Sequence, residues 1–343
     1  MSRITVARSV AELERLAPAW DVLADAVDAP LFSRPFWCIP WARHLAAGRP
    51  EVVTCYVGSE LSGIAPVSVR PVGGVELVRF LGHGLGTVTG LVHDPQDGAT
   101  HRALWAAMLG RRRRFVQMLE LRCPPVGSGG PPAHPHRVER HDVCLTVDCT
   151  TSYESYLSAR PKKLRENLRR GERSSGGDAH VELVTTPERW RQVRREVIAV
   201  FDAAERARPR HHLFRSHLAP FTDELIESSA AAGGLRLFIG RVGDRPVSFG
   251  IAFVGGTTLG FWATRFDPEF TSGSVGVRLL HAVIEHGFIE GLRCVDLLLG
   301  DQPHKRRWAT GRYDTLTVTA AATTPGLRLG NAVLDSAARL RRR

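Results

Sequence analysis

The chain has no run of 18 apolar residues, no C-x-x-C pair, and only three lysines among its 46 basic residues. The first absence argues against a membrane-spanning helix, since the hydrocarbon core needs about 20 apolar residues to cross. The opening MSRITVARSVAELERL has no apolar segment of the kind that directs secretion, so a cytoplasmic location is expected. The six cysteines (Cys38, Cys55, Cys123, Cys144, Cys149 and Cys294) are scattered, mostly among apolar residues. They read as reduced core residues rather than disulfides or zinc ligands. His211-His212 has no partner pair at zinc spacing, and no metal site is expected. G-x-S-x-G, H-E-x-x-H and the P-loop pattern are all missing, so no nucleophile elbow, zincin helix or Walker loop is available.

What is present describes a globular protein with a sizeable core. The 343 residues are enough for two domains or one large one, and 43% are hydrophobic against 24% charged. The net charge of +11 is unevenly placed, with basic clusters at Arg111–Arg114, Arg160–Arg173 and Arg339–Arg343. Such surfaces favour anionic partners: phosphate-bearing cofactors, nucleotide-linked substrates, tRNA or anionic lipid. Arginine richness also follows from a GC-rich genome, so charge alone does not choose among them.

The informative stretch is Phe266–Trp308, FDPEFTSGSVGVRLLHAVIEHGFIEGLRCVDLLLGDQPHKRRW. A small-residue turn, Thr271-Ser272-Gly273-Ser274-Val275-Gly276, precedes Val277, Leu280, Ile284 and Phe288 at helical spacing, widened by Leu279 and Val283. Gly291 is placed to end that helix. Cys294–Leu299 then reads as a strand buried on both faces, broken only by Asp296. A turn of this kind opening a helix leaves backbone N–H groups at the positive end of the helix dipole, where a phosphate or pyrophosphate fits. The same residues also read as an ordinary exposed N-cap, with Ser272 or Ser274 as the capping residue.

Before the turn, Leu235–Gly240, Pro246–Val254 and Thr257–Thr264 read as three strands, the first two a hairpin. This order of elements resembles the acyl-CoA-binding half of the GNAT acyltransferase fold. Asp267-Pro268, Ser274-Val275-Gly276, Asp296, Gly300-Asp301, Lys305 and Trp308 resemble a branch of it. That branch is the acetyltransferase-6 or CelD-like group, related to the FemABX peptidyltransferases. Two positions depart from the group pattern: Val275 stands where proline is usual, and His304 where an aromatic usually precedes the lysine.

The chain also repeats itself. TCYVGSELSGIAPVSV parallels LFIGRVGDRPVSFGIAFV, and Asp94-Pro95 stands against Asp267-Pro268. Repeats this far apart indicate duplicated domains rather than a solenoid. The expected fold is therefore α/β with mixed sheet, in two tandem GNAT-like halves. The expected boundaries are 1–149, 150–325, and a basic C-terminal helix and tail at 326–343. In the first half the counterpart of the Ser/Gly turn, Gln96–Thr100, keeps only Gly98, so a cofactor is expected in the second half. The first half is expected to supply a wall of the substrate cleft. Pro124–Pro135 reads as a linker, Arg208–His212 as a loop, and Asp314–Ala320 as a last strand.

Candidate site residues follow from chemistry and resemblance together. Transfer from a thioester needs both reactants held, a polarised carbonyl and somewhere for a proton. The resemblance implies that Trp262, Ala263 and Thr264 present backbone groups to the pantetheine arm of an acyl-CoA. Ser272, Gly273, Ser274, Val275, Gly276 and Val277 would take its pyrophosphate. Asp296, a carboxylate within an apolar strand, is a candidate general base or amine ligand. It equally reads as a structural partner of Arg293 or Arg306. Lys305 lies nine residues on and by resemblance sits near the transfer site; alternatively it is a surface lysine. Arg165 and Arg169 on the basic helix, Trp37, Asp301 and Trp308 complete the expected substrate contacts, each with a solvated, turn or core alternative. His304 and His286 are further bases near neutral pH, His286 reading as solvated.

The expectation is thus an N-acyltransferase moving an acyl group from acyl-CoA to an amine, without metal. The acceptor would be a small molecule, saccharide or peptide. The rivals are an aminoacyl-tRNA-dependent amide-forming transferase of FemABX type, and a non-enzymatic relative binding anionic polymers through its arginines.

Overall fold

The computed structural model describes residues 2–122, 133–174, 179–207, 212–273 and 275–341. The chain begins with β1 (Ser2–Ala7), α1 (Val10–Ala26), α2 (Pro35–His44), β2 (Arg49–Val57), β3 (Glu60–Val72), β4 (Val75–Phe80) and β5 (Val92–His93). There follow α3 (Gly98–Leu109), β6 (Arg114–Arg122), β7 (His136–Asp148), α4 (Tyr153–Ser158), α5 (Lys162–Ser174), β8 (Ala179–Val184), α6 (Pro187–Ala207) and α7 (Ala219–Ala231). The last elements are β9 (Leu235–Val242), β10 (Arg245–Gly255), β11 (Thr258–Phe266), α8 (Val275–Ile289), β12 (Cys294–Leu299), α9 (Pro303–Arg306), β13 (Gly311–Ala321) and α10 (Thr324–Arg341).

Local chemistry accounts for most of these boundaries. Ser9 and Glu12 close a reciprocal capping box that starts α1. Pro35 occupies the first turn of α2, where its missing N–H costs nothing, and the helix carries Phe36, Trp37 and Trp41. The two repeated hairpins both reverse at a glycine in the left-handed region, Gly58 (φ 63°) and Gly243 (φ 57°). Strand β8 was not legible: its AHVELV pattern is short, half-buried and at a sheet edge.

The chain divides into two compact units, Met1–Asp142 with Tyr313–Arg343, and Val143–Arg312. In the first unit β1, β2, β3 and β4 pair antiparallel in order. There β4 pairs parallel with β6, and β6 antiparallel with β13. The second unit repeats this plan. Strands β8, β9, β10 and β11 are antiparallel neighbours, β11 pairs parallel with β12, and β12 antiparallel with β7. The last strand of each sheet is therefore exchanged: β7 ends in the second unit although it follows β6, and β13 pairs in the first although it follows β12. This exchange is why the units differ from the expected division at 149/150 and 325. Helix α10 returns with β13, and Gly330 lets it sit directly on Phe115, whose ring a Cβ there would meet at 2.0 Å.

The first unit is cored by Val53, Val67, Val78, Val116 and Val318 against Leu104, Trp105 and Met108 of α3. One ionic cluster ties that helix down. Glu51 (1% exposed) meets Arg114 (5% exposed) at 2.5 Å, and Arg49 at 2.8 Å. Arg114 also donates to the carbonyls of Ala107 and Met108 at the end of α3. Burial works to raise the Glu51 carboxyl, but Arg114 and Arg49 outweigh it and hold it below the usual carboxylate range. A carboxylate depressed in the folded state contributes stability above its unfolded pKa, about 4.3, and loses it as pH falls through the folded value. Glu51→Gln, which leaves Arg114 with Glu76 at 3.3 Å as its remaining acid, is expected to cost about 1–3 kcal/mol at pH 7. In urea unfolding the gap between wild type and variant should close as the pH is lowered below about 4.3.

Candidate functional site

In the second unit two parallel strands part. β11 and β12 pair at only three positions, Thr258↔Cys294, Leu259↔Val295 and Gly260↔Asp296. β11 then continues to Phe266 along β10, with Ala263 opposite Ile251 and Thr264 opposite Gly250. β12 stays with β7 instead, through a register shift between Asp296 and Leu299, and the Gly300 N–H reaches the Val143 carbonyl at 2.8 Å. The edges facing the opening are Phe261–Thr264 and Leu297–Leu299.

The shift is held by specific side chains. Leu298 adopts a left-handed conformation (φ 57°), which costs a non-glycine residue about 1–2 kcal/mol. Asp296 Oδ1 accepts the Leu298 N–H at 2.8 Å. Lys305, on the short helix α9, donates from Nζ to the carbonyls of Leu297 and Leu299, both at 2.7 Å. The two expected catalytic residues thus meet at one bulge, where both bind backbone. Arg306 grips Asp301 with two bonds of 2.5 and 2.7 Å and holds that carboxyl below its usual range. The loop carrying Lys305 is clamped from α4 and the turn after it: Tyr156 Oη donates to Trp308 O at 2.7 Å, and Arg160 Nη1 to Ala309 O at 2.6 Å.

Helix α8 starts just past the open end of β11. Val275, Gly276 and Val277 form its first turn, not a turn preceding it as expected. Ser274 lies outside the described residues, and Ser272 and Gly273 close a 3₁₀ segment, Pro268–Gly273. That segment is pinned by Asp267, whose Oδ1 accepts the Glu269 N–H at 3.1 Å and whose Oδ2 meets Arg245 at 2.9 Å. Around Gly276 a Cβ built on the backbone meets none of the described residues within 4 Å. On β11, Trp262 packs on Phe253 (5.8 Å between rings), Ala263 is half-buried, and Thr264 Oγ1 donates to Phe249 O at 2.8 Å.

The first unit carries the same architecture with the opening filled. β4 and β6 also pair at three positions, Glu76–Val78 with Arg114–Val116. Beyond them Thr89 bridges to Leu121, its Oγ1 donates to Leu119 O at 3.0 Å, and its carbonyl accepts the Arg122 N–H. Asp94-Pro95 forms the same turn as Asp267-Pro268, with Asp94 Oδ1 accepting the Gln96 N–H at 2.8 Å. The N-terminus of α3 is occupied by the Asp97 carboxylate, which accepts from Ala99 and Thr100 N–H.

The remaining expected contacts vary in setting. Trp37 (0% exposed) is core, edge-on to Phe32. Trp308 (2% exposed) is also core and stacks on His281. Arg165 is half-buried, and its Nε is shielded with no hydrogen-bond partner among the described residues. The side chain of Arg169, Cys123, most of Pro124–Pro135, and residues 208–211 lie outside the described residues. His286, read as solvated, is largely covered, lying edge-on to Phe238 with Nε2 3.1 Å from Glu290, and burial pushes its pKa down. Sequence reasoning missed Thr89 and the Tyr153–His281 hydrogen bond, since neither belongs to a recognisable spacing.

Among the described residues no group of His, Cys, Asp and Glu suits a metal ion, and no helix is long and apolar enough to cross a membrane. Residues 160–306 match the family described as the acetyltransferase (GNAT) domain. FemX shares the fold with a TM-score of 0.68 at 9% identity, covering 88% of this chain and 95% of that one. The C-terminal DUF2156 domain of a putative lysylphosphatidylglycerol synthetase from Agrobacterium fabrum shares it at 0.60 and 14% identity, covering 94% and 95%. L-PGS from Bacillus licheniformis does so at 0.57 and 10% identity, covering 95% and 97%. No curated protein matches in sequence. The matched segment, residues 160–306, lies within the second unit. The fold of the whole chain, two GNAT-like halves, is shared with FemX and the other two structures.

Because Lys305 satisfies two carbonyls of a left-handed bulge, Lys305→Met is expected to lower folding stability by about 1–3 kcal/mol. Asp296→Asn keeps an oxygen able to accept the Leu298 N–H and is expected to cost under about 1 kcal/mol. Urea unfolding of the two variants beside wild type checks both.

Proposed function

We propose that the second unit binds an acyl-CoA in the opening between β11 and β12 and transfers its acyl group to an amine. The observation that carries this reading is the asymmetry between the units: after the same three-residue parallel pairing the strands part in one unit and are bridged by Thr89 in the other. Parted strands leave room for an extended amide-bearing ligand to lie where a further strand would. The pantetheine arm is such a ligand, and the backbone of Trp262–Thr264 would hold it. The first-turn N–H groups of Val275, Gly276 and Val277, with Ser272–Ser274 ahead of them, would take the pyrophosphate. The open space at Gly276 fits that role, because no described residue lies within 4 Å of a Cβ built there.

Transfer then needs little side-chain chemistry. The amine lone pair attacks the thioester carbonyl, the C–N bond forms, the C–S bond breaks, and CoA leaves as the thiol while the nitrogen loses a proton. Lys305 and Asp296 act in this scheme as positioning residues that keep β12 turned away, and the ammonium adds positive charge beside the opening. Of the acceptor-side candidates, Arg165 fits best, since its shielded Nε–H has no partner among the described residues and an anionic acceptor would supply one. Trp308 fits as a support of the wall rather than as a contact, and Trp37 belongs to the core of the first unit. The acceptor class is an amino sugar, polysaccharide precursor, peptide or specialised metabolite amine.

The basic face of α5, with Lys162, Lys163 and Arg165, supports a second reading in which the donor is an aminoacyl-tRNA. Calorimetry with acetyl-CoA and longer acyl-CoAs separates the two. Gly276→Asp adds a carboxylate where a phosphate would sit, and is expected to weaken acyl-CoA binding at least about tenfold. Its melting temperature should hold or rise, because an acid in the first helical turn is favourable by about 0.3–1 kcal/mol. Absence of binding to every acyl-CoA would exclude this donor and leave aminoacyl-tRNA to be tested.

A further inference from the structure

The first unit, whose own opening is closed, contains a separate cavity of about 510 Å³. It lies on the sheet face turned away from α3. Strand alternation shows this: Val67, Val78, Val116 and Val318 pack in the α3 core, and their neighbours Ser68, Arg79, Gln117 and Thr317 line the cavity. Next to the cavity the same face is apolar, where Leu77 and Phe115 meet Leu327, Val333 and Leu334 of α10. The polar floor is thus a local break in a face otherwise covered by a helix. Such breaks in pattern mark functional sites more often than folding requirements.

The floor is also chemically specific. Arg79 is oriented by a neutral group, its Nε donating to the Gln117 amide oxygen at 2.8 Å and Nη2 to the same oxygen. Arg70 stands beside it, and Arg137 and Glu139 pair with each other at the rim, opposite Asp335 of α10. Thr319, 6% exposed, has a buried hydroxyl with no hydrogen-bond partner among the described residues. An unmet hydroxyl costs about 1–3 kcal/mol and is retained most readily where a ligand completes it. His83 closes one side with its ring against Trp41 (5.1 Å), and Nδ1 donates to Phe80 O at 3.0 Å. Burial pushes the His83 pKa down to about 4, so at neutral pH the ring adds hydrogen bonding and no charge.

We propose that this cavity binds a small hydroxylated anion, a sugar phosphate or sugar acid, with Arg70 and Arg79 meeting its anionic oxygens and Thr319 meeting a hydroxyl. The volume falls in the usual range for small-molecule sites, about 300–1,000 Å³. This assignment does not rest on the acyl-CoA reading, because it uses no residue of the second unit.

The test is calorimetry on the full chain with glucose 6-phosphate, glucuronate and, as the neutral control, glucose. Saturable binding of at least one anionic sugar, about tenfold or more tighter than glucose, is expected from charge-assisted bonds to arginine. Binding by the phosphate alone or the carboxylate alone supports the site and identifies the anion. Arg79→Met and Arg70→Met should each weaken it about tenfold or more, with circular dichroism melts confirming that the variants fold. Thr319→Val gives an independent signature: removing an unmet hydroxyl should raise the melting temperature while weakening binding about fivefold. The proposal is overturned if neither anionic sugar binds saturably or if glucose binds equally well. An unchanged affinity in Arg79→Met or in Thr319→Val would overturn it as well.

Discussion

The second unit depends on one left-handed residue. With Leu298 in that conformation, β12 follows β7 and abandons β11, and the opening that defines the site exists. The conformation is unfavourable for leucine on its own, so the surroundings must over-determine it. They do so twice: Asp296 satisfies the Leu298 N–H from below the bulge, and Lys305 gathers the carbonyls on either side. The Lys305 loop is in turn fixed by Tyr156 and Arg160, so α4 and the turn that follows it help set the strand edge. Strain stored at a strand terminus and held by buried side chains is a familiar feature of binding sites.

Duplication supplied two copies of this plan and left them unlike. Both units keep the three-residue parallel pairing and the Asp-Pro turn before the helix. In the first, Thr89 bridges to β6 where the strands of the second unit part, and the Asp97 carboxylate caps the N-terminus of α3. A protein group covalently attached to the fold is present at high effective concentration, so these positions are filled by the chain itself. The exchanged strands β7 and β13 complete this picture, because each sheet is finished by a segment lying beyond its own repeat in sequence.

Much of this was legible before any coordinates. Helical spacing at Val277–Phe288 and the apolar run Cys294–Leu299 gave elements whose ends match within about two residues, because amphipathic period and glycine turns are local properties. The repeated hairpins and the two Asp-Pro turns were readable for the same reason. The strand exchange was not, since nothing in the pattern of β13 distinguishes a partner in one sheet from a partner in the other. The site was half-legible. Asp296 and Lys305 were singled out by chemistry and resemblance, and they do converge. Their partners are backbone carbonyls and an N–H, however, and backbone partners leave no mark in composition. The filling role of Thr89 was hidden likewise, in a residue with no motif around it.

The strong positive charge was the least informative feature, and the structure says why. Many arginines are consumed by acids: Arg114 by Glu51, Arg241 by Glu182 and Glu196, Arg194 by Asp223, Arg265 by Glu205. Paired guanidiniums fasten elements together and contribute little field beyond the pair. Two arginines are held differently. Arg79 is oriented by the Gln117 amide oxygen, and Arg165 keeps a shielded Nε–H with no partner among the described residues. A desolvated donor such as that of Arg165 discriminates sharply between ligands that complete it and those that do not, because an unmet buried group carries its full desolvation penalty. Charge accumulated on a surface is therefore a poorer guide to a site in this chain than a donor that folding leaves incomplete.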